Sequence, residues 1–244
     1  MTLIYKHLHK IDSTNVYLQK QQAERDIRNW VVSADEQTAG KGMGSNGWES
    51  EARKNLTFSL SLDVGFLPAE RQFLLSEAVA LGLIAVLDHL VPPEKLTIKW
   101  PNDLYYGNRK LAGILINSTI KSGLMDVSII GIGLNVNQMK FQDWPTHPIS
   151  LKMITGKDYA LQPLLEQIAE SVSIKVEQLK SDSPAIEQDY LSRLFRYRTW
   201  GHYQVGETVM RLLMTGIDPF GRLLLVDETN KPYCFDIKEI KFVF

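Results

Sequence analysis

The sequence contains little cysteine and no long apolar run, and each absence excludes a class of protein. The single cysteine among 244 residues, Cys234, excludes an internal disulfide, and no Cys/His cluster suggests a zinc site. The longest apolar run, residues 78–87, is too short to cross a bilayer, and the N-terminus has no signal-peptide core. We therefore expect a cytoplasmic protein without a membrane partner.

The sequence also lacks an excess of charge of either sign. It has 27 Lys and Arg against 28 Asp and Glu, for a formal net charge of -1, without a dense basic block. Nucleic-acid-binding proteins usually carry a basic patch or stripe, so we expect no nucleic-acid partner. The composition is that of an ordinary globular protein, and the length allows one large domain or one domain plus a small one.

Apolar periodicity predicts a mixture of strands and helices. Residues 55–64 alternate between apolar and polar, which is typical of a half-buried strand in an antiparallel sheet. Apolar residues at helical spacing predict helices over 69–90 and 161–179. Further strands are predicted over 95–100, 109–120 and 125–137, with a turn region over 101–108 joining the first two.

The last fifty or so residues differ in character from the rest. From Val205 onward, short β-type runs alternate with Pro- and Gly-containing turns, which indicates a small β-barrel or meander. We place the boundary of this unit between residues 193 and 201.

The segment TAGKGMGSNGWES, residues 38–50, contains four glycines within eight positions. Glycine is favoured where the main chain turns tightly or approaches a ligand closely. A dinucleotide-binding loop is excluded because a strand is predicted from about residue 56, which leaves no room for the helix that must follow. A protein kinase is excluded because the H-R-D and D-F-G motifs are missing. A ligand-free surface loop stays open as an alternative.

Three more segments place polar or charged groups among apolar strands: KWPND (99–103), RKLAGIL (109–115) and GIGLNVN (131–137). Strand alternation predicts Lys110 on the face of Ala112, Ile114 and Ile116. Each segment also has a purely structural interpretation, as a strand-end turn, an edge lysine or close packing of small residues.

The order of STN (13–15), the glycine loop, KWPND, RKLAGIL and GIGLNVN resembles that of the biotin protein ligases across essentially the whole chain. The resemblance implies an α+β fold. Its mixed, largely antiparallel central sheet is flanked by helices, as in class II aminoacyl-tRNA synthetases, and a small SH3-like β-barrel follows. It implies a catalytic domain over 1–195 and a C-terminal domain over 196–244. It favours the monofunctional type, without an N-terminal DNA-binding domain.

The implied reaction joins biotin and ATP, with Mg²⁺, into biotinyl-5'-AMP and pyrophosphate, and then transfers biotin to a lysine of a biotin carboxyl carrier domain. By resemblance, Lys110 is catalytic and neutralises the biotin carboxylate together with the α-phosphate. The resemblance assigns biotin binding to Ser13, Thr14, Asn15, Gln37, Gly40, Lys41, Gly42, Met43, Lys110, Gly113, Leu115 and Gly133. It assigns ATP and adenylate binding to Lys41, Met43, Trp48, Lys99, Asn102, Asp103, Lys110 and Asn135.

The chain departs from the family pattern in the glycine loop. The usual loop reads G-R-G-R-x-G-R, whereas residues 40–46 here contain no arginine, and Lys41 and Met43 stand in the first two arginine positions. Arginine forms bidentate contacts that lysine cannot, so we expect weaker retention of the adenylate.

Asp103 is a possible Mg²⁺ contact through the nucleotide. We predict no other metal site, because His7 and His9 alternate along a strand without an evident third ligand.

Two alternatives remain open. One is a lipoate or octanoate ligase with the same fold and adenylate chemistry, and the other is a catalytically inactive relative that only binds the ligand. The STN and KWPND segments favour biotin, and Lys110 favours turnover. A homodimer is possible.

Overall fold

In a computed structural model, which describes residues 2–44, 46–142 and 146–243, the described residues form two β-sheets, five α-helices and two short 3₁₀ helices. Ser45 of the glycine loop lies outside the described residues. The strands are β1 (Ile4–Ile11), β2 (Trp30–Gln37), β3 (Leu56–Asp63), β4 (Leu96–Lys99), β5 (Asp103–Tyr106), β6 (Arg109–Lys121), β7 (Leu124–Leu134), β8 (Trp200–Val205), β9 (Thr208–Ile217), β10 (Leu223–Val226), β11 (Pro232–Phe235) and β12 (Ile240–Val243). The helices are α1 (Thr14–Gln22), α2 (Phe73–Leu87), α3 (Leu151–Thr155), α4 (Leu161–Gln178) and α5 (Ser183–Arg193).

The larger sheet has the strand order β1-β2-β3-β7-β6-β5-β4. The β1–β2 pair is parallel and the other pairs are antiparallel, which confirms the predicted mixed, largely antiparallel sheet. The predicted helices over 69–90 and 161–179 correspond to α2, which follows a short 3₁₀ helix, and to α4.

The two faces of the larger sheet have different partners. On one face, Leu56, Phe58 and Leu60 of β3 belong to the main hydrophobic core with α2 and α4. On the other face, α1 covers a smaller apolar cluster that includes Leu18 and Val32. The pocket described below lies on this α1 face.

The prediction that β3 is half-buried is wrong, because its polar side is buried as well. Thr57 and Ser61 donate hydrogen bonds to the carbonyl oxygens of Ala34 and Ile27. Ser59 bonds to α1, as described below. Alternation of polar residues normally marks a solvated face, but hydroxyls that find partners can be buried at little cost.

Residues 101–108 are predicted as a turn region. They also contain a strand, β5, which pairs with both β4 and β6. The β5–β6 register shifts by one residue. Leu104 pairs with Ala112 whereas Tyr105 pairs with Lys110, so Leu111 is an extra residue in a β-bulge. The bulge interrupts the alternation. The predicted placement of Lys110 on the face of Ala112 is therefore wrong, and Lys110 lies beside Gly113 on the α1 face.

The smaller sheet is antiparallel, with the order β11-β10-β9-β8-β12, in the region where the small β unit is predicted. Tyr203, Leu212 and Leu225 of this sheet belong to the same hydrophobic core as α2 and the larger sheet. The domain boundary between residues 195 and 196 stays a prediction. Among the described residues, no helix is long and apolar enough to span a membrane.

Candidate active site

The floor of the candidate site is a stretch of β6 and β7 from which side chains are missing. Gly113 pairs with Gly133, and Gly131 lies two residues before Gly133 on the same face. A Cβ at Gly131 would lie 2.5 Å from the Asn15 side chain, and one at Gly133 would collide with the Trp48 ring. Glycine at these positions therefore lets Asn15 and Trp48 lie directly against the strands.

One wall is polar and comes from the start of α1. Thr14 Oγ1 lies 2.6 Å from Ser59 Oγ, and Ser59 donates to Asn15 Oδ1 at 2.6 Å. The Thr14 backbone N–H donates to Gln37 Oε1 at 2.8 Å. Asn15 Nδ2 reaches the Leu115 carbonyl at 3.3 Å. The result is a buried set of donors and acceptors that is held in place by its own hydrogen bonds.

Ser13 begins the same wall. It occupies the N-cap position of α1, but within the described part of the chain its side chain forms no capping hydrogen bond. The Ser13 hydroxyl therefore does not serve as a helix cap. Ser13 is buried and lines the pocket.

The opposite wall carries an ion pair. Lys110 Nζ lies 2.7 Å from Asp103 Oδ1, and their side chains are only 20% and 16% exposed. The ammonium group is also 5.6 Å from the centre of the Trp48 ring. The β-bulge at Leu111 produces this geometry, because Asp103 pairs with Gly113 and the shift turns Lys110 toward both of them. A partly buried cation thus faces the glycine floor.

Asn135 supports the Lys110 backbone rather than the pocket wall. Its side-chain amide donates to the carbonyl oxygens of Ile149 at 3.1 Å and Lys110 at 3.4 Å. Lys99 likewise points elsewhere, with its ammonium group 5.0 Å from the Tyr105 ring centre and 5.3 Å from that of Phe242. Burial lowers the pKa of Lys99, and the neighbouring charges of Lys110 and Arg196 lower it further, against the opposing effect of Asp103.

The glycine loop folds back as a small hairpin. Lys41 and Gly47 form an isolated β-bridge, Gly42 N donates to Asn46 O at 2.8 Å, and Trp48 N donates to Gly40 O at 3.0 Å. This arrangement places Lys41, Met43 and Trp48 at the pocket.

Asn102, which also lines the pocket, is fixed to β6. Its Nδ2 donates to the Ile114 carbonyl at 2.6 Å, and Ile114 N donates back to the Asn102 carbonyl at 2.9 Å. The side-chain oxygen of Asn102 is not used by these two bonds.

Together these elements line a pocket that is partly open to solvent. The sequence predicted fourteen of the lining residues, and the structure brings them together: Ser13, Thr14, Asn15, Gln37, Lys41, Gly42, Met43, Trp48, Asn102, Asp103, Lys110, Gly113, Leu115 and Gly133. Gly40, Lys99 and Asn135 are not among the lining residues. The sequence analysis missed six others: Asn46, Gly47, Phe58, Ile114, Gly131 and Ile132.

Some of the missed residues carried a signal. Gly131 stands two residues before Gly133 in the same strand, so alternation alone places both glycines on one face. Asn46 and Gly47 lie within the glycine loop. Phe58, Ile114 and Ile132 belong to the main hydrophobic core, and only the three-dimensional packing brings them to the pocket as well.

A model of the biotin/lipoate A/B protein ligase family matches residues 8–135, more than half of the 244-residue chain. The chain belongs to this family. Within it, the chain is 28% identical over 229 residues to the biotin--[acetyl-CoA-carboxylase] ligase of Mycobacterium tuberculosis, with 92% of this chain and 80% of that protein covered. It is 30% identical over 232 residues to the bifunctional ligase/repressor BirA of Escherichia coli, with 91% and 70% covered.

Among solved structures of biotin protein ligases, the enzyme from Aquifex aeolicus in complex with biotin and ATP is similar in fold. The TM-score is 0.78 at 23% identity, over 98% of this chain and 99% of the other. The likeness extends through both sheets, which confirms that the smaller sheet is part of the fold of this group of ligases.

Proposed function

We propose that the protein is an ATP-dependent biotin ligase. It forms biotinyl-5'-AMP from biotin and ATP with release of pyrophosphate, and then transfers biotin to a specific lysine of a biotin carboxyl carrier domain. The observation that carries the proposal is the position of Lys110, a partly buried cation that faces a floor of bare strand backbone beside Asp103.

The first step is an attack by one anion on another. A carboxylate oxygen of biotin bonds to the α-phosphorus of ATP, and the bond from that phosphorus to the bridging oxygen of pyrophosphate breaks. The repulsion between carboxylate and phosphate must be offset by cations that are already in place. Lys110 supplies one such charge, and Lys41 on the glycine loop supplies a second at the pocket edge.

The polar wall supports biotin over lipoate. The ureido ring of biotin is planar and carries both donors and acceptors, which match the hydroxyl and amide groups of Ser13, Thr14 and Asn15. The dithiolane ring of lipoate has no such groups and could form no hydrogen bonds with this wall. A site that hydrogen-bonds its substrate discriminates strongly against an analogue that lacks the matching groups.

Asp103 fits a role in holding Mg²⁺ together with the phosphates of ATP. Mg²⁺ is commonly held by one or two carboxylates plus substrate phosphates, and Asp103 is the one carboxylate among the described lining residues. Without a bridging cation this carboxylate would repel the triphosphate. The bound ion would supply charge neutralisation on the phosphate oxygens.

In the second step the amine nitrogen of the carrier lysine attacks the acyl carbon of biotinyl-5'-AMP. An amide bond forms, AMP leaves, and the lysine nitrogen loses a proton. This step needs no covalent acyl-enzyme.

Because the reaction consumes ATP and modifies a metabolic carrier domain, we place it in the cytoplasm. The homodimer stays a prediction.

The test is incubation of the protein with ATP, Mg²⁺, a carrier domain, and labelled biotin or labelled lipoate. We expect label on the carrier from biotin alone. Label from lipoate alone would select the lipoate ligase. Binding of biotinyl-5'-AMP without transfer would select an inactive ligand-binding protein.

A further inference from the structure

Two histidines and an aspartate meet on the face of the larger sheet that packs against α4, away from the α1 face. His7 Nε2 lies 3.2 Å from Asp35 Oδ1, and His9 Nδ1 lies 3.1 Å from Asp35 Oδ2. One potential ligand atom from each residue lies within 4.8 Å of the others. We call these three residues the His–His–Asp cluster.

The strand geometry explains the convergence. His7 and His9 are two residues apart in β1, so their side chains lie on the same face. In the parallel register His7 pairs with Ser33 and Lys10 with Glu36, which places Asp35 beside both histidines on the neighbouring strand. The sequence-based prediction of no other metal site assumed that a third ligand was missing. Asp35, contributed by β2, corrects that assumption.

Ser33 orients one of the imidazoles. His7 Nδ1 lies 3.0 Å from Ser33 Oγ. When Nδ1 carries the proton and donates to Ser33, the lone pair of Nε2 faces the Asp35 carboxylate. A lone pair facing a carboxylate is unfavourable unless a proton or a metal ion lies between them. A hydrogen bond from the second imidazole nitrogen is also how metal-binding histidines are usually oriented.

We propose that the His–His–Asp cluster binds one divalent transition-metal ion through two imidazoles and one carboxylate. This donor set suits Zn²⁺, and also Ni²⁺ and Cu²⁺, rather than Mg²⁺ or Ca²⁺. The His9 side chain is 87% exposed, so water can complete the coordination from the solvent side. The ion would cross-link β1, which lies at the edge of the sheet, to β2.

An ion pair competes with this site. Arg53 Nε lies 3.3 Å from Asp35 Oδ2, and Arg53 N donates to the Asp35 carbonyl oxygen at 3.0 Å. The guanidinium group draws the carboxylate away from a metal ion and repels the ion itself. This competition provides a test. Removal of Arg53 should strengthen metal binding if the cluster is a metal site, whereas it would only weaken the cluster if the cluster is an ion-pair network.

The experiment is calorimetric titration of the full chain, free of any polyhistidine tag, with Zn²⁺ and separately with Ni²⁺. We expect one equivalent to bind, and His7→Ala and His9→Ala each to weaken binding at least tenfold, since even the loss of a supporting contact costs about 10- to 100-fold. Arg53→Gln is expected to tighten binding. His202→Ala, an exposed histidine on the smaller sheet, is the matched control and should bind like the parent.

Thermal unfolding gives a second readout. Zn²⁺ at about a hundredfold excess over its Kd should raise the Tm of the parent by about 5 °C, and should not raise that of His9→Ala. The proposal is overturned if the parent binds no metal, if affinity is the same in the His7 and His9 variants, or if Arg53→Gln weakens binding.

Discussion

At the scale of single residues, the position of the Lys110 ammonium group is set by the side chains that it contacts. A lysine in a strand normally extends its ammonium group into water. Here the side chain is held back by Asp103 and by the face of Trp48. The ammonium group is thus fixed where, in our proposal, two anions meet, and little reorganisation is needed when the substrates bind.

We expect Lys110→Ala to slow biotin-dependent pyrophosphate release by at least about 10²- to 10³-fold, as for the loss of one preorganised charge-stabilising group. The measurement is steady-state pyrophosphate release with saturating ATP. Lys157→Ala, which removes an exposed lysine, is the control and should be unaffected. Because the change leaves Asp103 without its partner, the Tm of the variant must be measured as well. Unchanged pyrophosphate release in a folded variant would contradict the proposed role.

Met43 is the second residue with a testable consequence. It lines the pocket at a loop position where relatives are expected to have arginine, and a charge-assisted hydrogen bond contributes about 1.5–3 kcal/mol. We therefore expect Met43→Arg to slow the release of biotinyl-5'-AMP about tenfold to a hundredfold. The measurement is a chase of labelled adenylate with unlabelled ligand. Met139→Arg adds the same charge at an exposed methionine and should leave the release rate unchanged.

At the scale of elements, the glycines of β6 and β7 make the site possible. They keep the strand ladder intact while removing the side chains that would fill the pocket. Gly131 and Gly133 lie on the same face but meet different neighbours, Asn15 in the polar wall and Trp48 in the glycine loop. One strand thus sets the position of both the wall and the loop.

Because Gly131 and Gly133 meet different neighbours, we expect substitutions at the two positions to impair different parts of the site. Gly131→Ala should displace Asn15, because the added Cβ would lie 2.5 Å from its side chain. We expect the KM for biotin to rise about tenfold, for a steric cost of roughly 1–3 kcal/mol, with a smaller change in the KM for ATP. Gly216→Ala, where a Cβ meets nothing within 4 Å, is the matched control. An equal rise in both KM values would argue against a local effect on the polar wall.

The elements also show where sequence reasoning succeeds and where it fails. Long periodic segments such as α4 and β7 could be predicted, because many residues carry the same signal. The four-residue strand β5 was missed, since Pro101, Asn102 and Gly107 around it are turn residues. The face of Lys110 was predicted wrongly because alternation cannot detect the bulge at Leu111. Asp35 could not be assigned to His7 and His9, because the strand register is not encoded in local spacing.

At the scale of the whole molecule, the two sheets are connected by a shared core and by specific hydrogen bonds. The Trp100 indole N–H donates to the Gly221 carbonyl at 2.8 Å, which joins the end of β4 to the turn after β9. Phe195 N donates to the Ile98 carbonyl at 2.8 Å. Since the hydrophobic core is continuous through both sheets, we expect one cooperative unfolding transition.

Glu77 is buried on α2, close to the packing of α2 with α5. It is 6% exposed, and its Oε2 has no hydrogen-bond partner among the described residues. Burial raises the pKa of Glu77 from 4.5 to about 8, and the nearby charge of Glu187 raises it further, against the opposing effect of Arg71. In the folded protein this carboxyl group is therefore protonated at neutral pH.

The sign of the resulting pH dependence follows from proton binding. Between pH 4.5 and about pH 8 the folded state holds a proton on Glu77 that the unfolded state has released. The free energy of unfolding therefore falls as pH rises through this window, by up to about 5 kcal/mol in total. Below pH 4.5 both states are protonated, and this contribution is fully present.

We expect Glu77→Gln to remove this fall in the free energy of unfolding at higher pH, because the amide stays neutral at every pH. Its Tm should exceed that of the parent by a wider margin at pH 8 than at pH 5, as measured by calorimetry across that range. Glu170→Gln changes an exposed glutamate on α4 and should keep the pH dependence of the parent. A margin that stays constant with pH would mean that Glu77 is ionised in the folded protein. The junction of α2 with α5 would then have to hold a buried negative charge, with Arg71 as its nearest compensation.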